Sequence, residues 1–119
     1  MTRLKSPRRG DVIRLNFDPK AGHEQGGFRP AVVVSHSTYN EHSSTIVVCP
    51  VTSRIRDWPF NVLLPEELPV QGAVLVDQIT TVDWRARSAR IACSCPDDVL
   101  DEIDAKLDVL FRGAARPAM

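Results

Sequence analysis

What the chain lacks narrows its chemistry before any motif is considered. Its three cysteines cannot all pair within one chain. Cys93 and Cys95 have the wrong spacing for a zinc knuckle and no partner pair. A nucleophilic cysteine is one reading, and reduced, buried thiols are the plainer one in a reducing compartment. The histidines, His23, His36 and His42, fall in polar stretches without the spacing of a metalloprotease helix or a cysteine partner pattern, so no metal site is expected. A two-histidine acid–base site remains conceivable, although no spacing brings two of them together. Phosphate-cradling P-loops, dinucleotide GxGxxG runs and GxSxG nucleophile elbows are all missing. No apolar run is long enough to span a bilayer. Met1–Lys5 leads into Ser-Pro-Arg-Arg rather than an apolar core, so no signal peptide is expected and a cytoplasmic protein is. No repeat or low-complexity segment is visible.

The length, 119 residues with 43% hydrophobic side chains, suits one domain with a core that needs no staples. Within it, residues 1–9 read as a basic arm and 114–119 as a frayed tail. A net charge of zero hides an asymmetry. Residues 96–119 hold six acids against three bases, leaving a surplus of three positive charges in residues 1–95, most of the bases being arginine. Arginine is suited to planar recognition of phosphates, but so small a surplus is also what an ordinary solvated surface carries.

Alternation of Ile13, Leu15 and Phe17 with Arg14 and Asn16 predicts a strand over 11–17, ended by Asp18-Pro19. Gly22, Gly26 and Gly27 make 20–28 a long loop. Residues 30–35 read as a strand buried on both faces, and 36–44 as a polar connection. The next strand is predicted over 45–52, with Pro50 implying a bulge or an edge position. Further strands are predicted over 60–64, 72–77 and 87–93, with 78–84 as a candidate extension. Pro96, Asp97 and Asp98 then fit the first turn of a helix. Val99, Leu100, Ile103, Leu107 and Leu110 recur along one helical face until Gly113 stops it. Short, closely spaced strands with one terminal helix predict a mainly β fold, a small barrel of SH3-like or OB-like type.

Three segments exceed what core and turns require. Arg29 lies between a glycine loop and the proline that opens a buried strand, where it is anchored on one side and approachable on the other. It is either a phosphate ligand or a surface arginine in one carboxylate pair. Thr52 and Ser53 end a buried strand, where hydroxyls either cap a turn or donate to a phosphate oxygen. The run 54–59 interleaves Arg54 and Arg56 with Trp58, and 84–87 repeats the theme. Arginine with tryptophan suits single-stranded nucleic acid, while each tryptophan is equally a half-buried packing residue.

Taken in order, these segments resemble the MazF/PemK family of toxin endoribonucleases. The resemblance is carried by Gly10-Asp11-Val12-Ile13, Asn16-Phe17-Asp18-Pro19, residues 22–35, Tyr39-Asn40, Val48–Ser53, Pro59-Phe60, Gly72–Gln78 and Trp84–Arg87. It implies an SH3-like barrel with a C-terminal helix, a homodimer, and metal-independent, sequence-specific cleavage of single-stranded RNA. The ribose 2′-OH would attack the adjacent phosphate, giving a 2′,3′-cyclic phosphate and a 5′-OH. Carried over by position, Arg29 stabilises the pentavalent phosphate, Thr52 holds it by hydrogen bonding and Glu24 assists from the loop. A guanidinium with a pKa above ~12 is a poor general acid, so charge stabilisation is weighted above proton transfer. The implied RNA groove comprises Phe17, Gln25, Phe28, Asn40, Ser53, Arg54, Arg56, Trp58, Asp77, Gln78, Arg85 and Arg87. Some relatives carry histidine beside the motif arginine. Here the position is Phe28, so acid–base work by that histidine is not carried over.

The resemblance further implies an antitoxin partner with a flexible acidic segment, which would mimic the RNA backbone. No cofactor is implied. A non-catalytic toxin of the gyrase-poison kind, acting through the C-terminal helix, and an inert RNA-binding module are the rival readings, and fold alone does not separate them.

Overall fold

Runs of valine and isoleucine set the architecture, because β-branched side chains suit a pleated, buried surface. In a computed structural model, which describes residues 5–17 and 27–113, these runs form β1 (Asp11–Asn16), β2 (Phe28–Val33), β3 (Thr45–Thr52), β4 (Asn61–Leu63), β5 (Ala73–Leu75), β6 (Thr80–Asp83) and β7 (Arg90–Ser94). Two helices are added, α1 (Ser37–His42) and α2 (Asp97–Arg112), with a single 3-10 turn over Val76–Gln78. The strands pair antiparallel in the order β4-β5-β3-β2-β1-β7, and β6 pairs with β3. The result is the expected mainly β fold with one C-terminal helix, a barrel-like sheet whose end strands β4 and β7 do not pair.

Strand β3 organises the sheet. Along one edge it pairs with β2; along the other, Thr45–Val48 face β6, and Val51 and Thr52 face β5. Pro50 falls where β3 changes partner, between the Val48–Thr80 and Val51–Val74 pairs. It is therefore neither at an edge nor in a bulge as the sequence suggested: a missing N–H is tolerated in a central strand where the ladder is already interrupted. The bulge occurs instead in β7, where Val12 pairs with Cys93 but Ile13 with Ile91.

Successive residues of β2, with Val34 just after it, feed two separate cores. Val32 and Val34 join Val12, Cys49, Val51, Val62, Val74 and Val76 beneath Val99, Leu100 and Ile103 of α2. Ala31 and Val33 join Ile13, Leu15, Phe17, Ile46, Val48, Val82 and Trp84. A strand covered on both faces reads as a continuous apolar run, as expected for residues 30–35.

Several boundaries differ from the sequence expectation. The connection over 36–44 contains α1, because the His36 imidazole Nδ1 accepts from the Thr38 N–H (3.0 Å) and caps it. The strand expected over 72–77 ends at Leu75, where the 3-10 turn begins. The strand expected from Arg87 starts at Arg90, because Asp83 Oδ1 accepts from the Arg85 and Ala86 N–H groups (3.1 and 3.0 Å) and forces a turn. The supposed arm is fastened at its inner end. The Arg8 N–H donates to Asp11 (2.8 Å), and the Arg9 guanidinium donates to the Val34 carbonyl (2.6 Å) and to Asp104 of α2. In α2 the packed face ends early: Val109, Leu110 and Phe111 are exposed.

Candidate functional site

The second core turns polar at one end. Along β1 the inward series is Ile13 and Leu15, continued by Phe17 just past its end; along β2 it is Val33, Ala31 and then Arg29; along β3 it is Val48, Pro50 and then Thr52. Side chains two apart share a face, so Arg29 and Thr52 continue the face that carries the core. Strand register brings them level. Leu15 pairs with Arg29, and Ala31 with Pro50. Carrying the β2–β3 register one step further on that face sets Arg29 across from Thr52.

Thr52 is held firmly. The residue is 8% exposed, and its hydroxyl accepts from the Arg54 N–H at 3.1 Å, leaving the O–H proton for another acceptor. Its backbone pairs with Ala73, and Gly72 passes so close that a Cβ there would lie 2.2 Å from the Thr52 carbonyl oxygen. Arg29 is exposed and Phe28 is 55% exposed, beside Gly27, whose carbonyl accepts from the Phe17 N–H (2.7 Å). Glu24 and Gln25 lie outside the described residues.

On the β5 side of Thr52 the loop 53–60 folds back against the 3-10 turn. The Trp58 indole N–H donates to Asp77 Oδ2 at 3.0 Å, and the ring, 50% exposed, tilts against Phe60 with centroids 5.9 Å apart. Asp77 thus spends an oxygen on orienting Trp58. Ser53, Arg54 and Arg56 are exposed along the same loop. Ile55, Arg56, Asp57, Trp58, Asn61 and Leu63 enclose an open cleft of about 330 Å³. Gln78 is partly buried, and its Oε1 has no hydrogen-bond partner among the described residues. On the β1 side, the Arg87 guanidinium donates to the Asn16 carbonyl at 3.0 Å. That bond ties the 84–88 turn to the strand carrying Phe17.

Two residues expected in an RNA groove are built into the scaffold instead. Asn40 is 1% exposed, and its amide donates to the Pro7 and Ser35 carbonyls at 2.9 and 3.2 Å while its Oδ1 accepts from the Ser35 hydroxyl. A residue so consumed has no edge left for a base. Phe17 is a core residue, buried under Arg29's end of the sheet. Trp84, the second candidate stacking surface, is only 5% exposed and packs in the same core, leaving Arg85 outside it with its guanidinium 5.0 Å from the ring. Asn61 was not anticipated, since a lone asparagine at the start of a short strand carries no sequence signal.

The cysteines are poorly placed as nucleophiles. Burial pushes the Cys49 thiol up to about 12 and Cys95 up to about 11, and it raises Cys93 as well. His36 and His42 are engaged at the two ends of α1, His42 through Nδ1 to the Thr38 carbonyl. Among the described residues no three His, Cys, Asp or Glu side chains gather as metal ligands do, and no helix is long and apolar enough to cross a membrane.

Comparison with known proteins identifies the family to which this fold belongs. The family described as PemK-like, MazF-like toxin of type II toxin-antitoxin system matches residues 8–111. The endoribonuclease toxin MazF of Escherichia coli K12 is 38% identical over 105 residues, covering 88% of this chain and 94% of that protein. The endoribonuclease toxin ChpB of the same organism is 36% identical, covering 92% and 98%. Among solved structures, MazF of Deinococcus radiodurans superposes with a TM-score of 0.85 at 47% identity, covering 89% of this chain and 96% of that one. A MazE–MazF structure from the same organism gives 0.82 at 46% identity, covering 92% and 98%. The chain therefore belongs to the PemK/MazF-like toxin family of type II toxin–antitoxin systems.

Proposed function

We propose that this chain is a toxin endoribonuclease that cuts single-stranded RNA at a short sequence without a metal. The observation that carries the reading is the β2–β3 register, which, extended one step past its Ala31–Pro50 pair on the same face, would set Arg29 across from Thr52 at the polar end of the core. A guanidinium and a hydroxyl so spaced suit a phosphate whose negative charge grows during displacement. The nucleophile is the neighbouring 2′-OH of the RNA, so the protein supplies no covalent group. Its O–P bond forms as the 5′ oxygen leaves, giving a 2′,3′-cyclic phosphate and a 5′-OH end. Arg29 offsets charge on the phosphoryl oxygens, and Thr52 donates a hydrogen bond from its hydroxyl to one of them. Glu24, five residues before Arg29 in sequence, is the assisting group.

Exposed Arg54, Arg56 and Trp58, with Phe28, form the binding surface. The same basic face suits an antitoxin's acidic segment, and MazE–MazF complexes are known for the relatives. A homodimer would cover apolar surface that one copy leaves exposed at Ile91, Leu110 and Phe111.

The test is to incubate the protein with a long RNA in excess EDTA and map new 5′-OH ends. Cutting at one short word, reduced about 10²–10³-fold in both Arg29→Ala and Thr52→Ala, is the expected result. Chelator-sensitive or absent cleavage refutes the reading, and absent cleavage favours a gyrase-poison mode.

A further inference from the structure

Strands β1 and β7 set two arginines directly against each other. Arg14 pairs with Arg90, and both are exposed. Side chains of a cross-strand pair share one face, so the two cations stand on the same side of the sheet, where like charges repel. Neither arginine has a hydrogen-bond or carboxylate partner among the described residues. The pair is therefore open to an anion from outside the chain.

Strand alternation places this pair away from Arg29. Leu15 pairs with Arg29 on the side of the second core, whereas Arg14 pairs with Pro30 on the side that carries Val12 and Val32 of the first. Past Val12 that face turns outward, and Arg14 and Asn16 are exposed. Phe28, 55% exposed, pairs with Asn16 and lies diagonally from Arg14, a spacing of ~7–8 Å that an aromatic ring can bridge. Other arginines connect the two faces round the end strand β7. Arg87 sits beside Asn16, donating to its carbonyl (3.0 Å) and accepting from its N–H (2.9 Å). Arg85 lies over Trp84 of the second core.

We propose that Arg14 and Arg90 hold the phosphate backbone of the RNA outside the recognised word, on the face of the sheet opposite Arg29, with Phe28 as a stacking surface for a base. This inference rests on the reading of the chain as an RNA-cutting enzyme and adds to it a second, non-catalytic RNA site. Guanidinium forks match phosphate oxygens in a planar, two-bonded contact. An exposed aromatic beside them suits a single strand, whereas a purely acidic peptide would use the charges and leave the ring idle. A phosphate between the two arginines also offsets their mutual repulsion.

The test measures binding to strands that differ only in length. A 2′-O-methyl RNA confined to the recognised word, and one flanked on both sides by oligouridine, are titrated by fluorescence anisotropy over a salt series. The flanked strand is expected to bind at least about tenfold more tightly. The double variant Arg14→Gln, Arg90→Gln should lose most of that advantage, and its slope of log affinity against log salt should fall by about 0.7–1.4, the equivalent of one or two phosphates. Arg14→Lys with Arg90→Lys keeps the charge and should keep the slope. Because the glutamines remove a repulsion, their variant should melt no lower than the parent. Equal binding of the two strands by the parent, or an unchanged slope in the glutamine variant, overturns the proposal. So does a glutamine variant that keeps its RNA affinity but loses a poly-glutamate peptide or sediments as a smaller species, since the pair then serves a protein partner or a second copy. Cleavage of the word without any gain from the flanks would refute this inference and leave the proposed function standing; arginine-dependent binding without cleavage would do the reverse.

Discussion

Gly72→Ala is the substitution whose cost follows most directly from the structure, because it acts on the backbone of Thr52. Gly72 has φ +129°, and a Cβ built there lies 2.2 Å from the Thr52 carbonyl oxygen, 2.9 Å from its carbonyl carbon and 3.3 Å from Val51 Cγ1. Both nearest atoms are backbone of a central strand, so neither can swing aside. Holding a non-glycine residue in this region costs ~1–3 kcal/mol. Parting β3 from β5 to admit a methyl adds ~1–3 kcal/mol more. A chain of 119 residues unfolds with an entropy near ~250 cal/mol/K, so each kcal/mol lowers Tm by ~4 °C. A fall on the order of 10–20 °C is expected in a circular-dichroism melt, together with weaker RNA cleavage by the fraction that remains folded. Gly113→Ala is the control: φ is +80° but nothing lies within 4 Å, so only the backbone term of ~1–2 kcal/mol applies. If Gly72→Ala melts within ~4 °C of Gly113→Ala, the close approach described here is wrong.

Asn40→Ala removes the amide that joins Pro7, Ser35 and α1, and should cost ~2–3 kcal/mol in urea denaturation. The relative cleavage of different RNA words should stay unchanged; a shift in recognised sequence would restore Asn40 to the groove. Buried thiols give a pH dependence of definite sign. The folded pKa of Cys49 is about 12 against a reference of 9.0, so its stabilising effect is complete below pH 9 and lost as pH rises toward 12. By pH 10 the unfolded thiol's ionisation has removed ~1.4 kcal/mol, a loss that Cys49→Ala should lack when the two denaturation series are compared. If the two lose stability equally between pH 8 and 10, the thiol is not buried as described.

Much of the fold was legible because its strands obey simple periodicities. The boundaries of β3 were read without error, and β1 and α2 to within a residue, since alternation and helical spacing directly reflect burial there. What stayed hidden depends on contacts distant in sequence. Asn40 reads as a loop polar group, yet it is buried because Pro7 arrives over it. Trp84 and Trp58 sit in similar arginine-flanked contexts, and only packing distinguishes a core residue from an exposed one. Pro50 was misjudged because a change of strand partner leaves no local mark. The pairing of Arg29 with Thr52 was suggested by resemblance alone, since nothing in composition brings residues on two strands level. Register places Leu15 opposite Arg29 and Ala31 opposite Pro50, pairs that the sequence does not declare.

The central claim is that the RNA's own 2′-OH performs the displacement, with Arg29 and Thr52 holding the phosphate. It is tested most directly with two oligonucleotides carrying the recognised word in excess EDTA, identical except for a single 2′-deoxy sugar on the 5′ side of the cut. The account predicts that the all-ribose strand yields a 2′,3′-cyclic phosphate and a 5′-OH, and that the deoxy strand binds with similar affinity but stays intact. Comparable cleavage of both strands, or products ending in a 5′-phosphate, would contradict it.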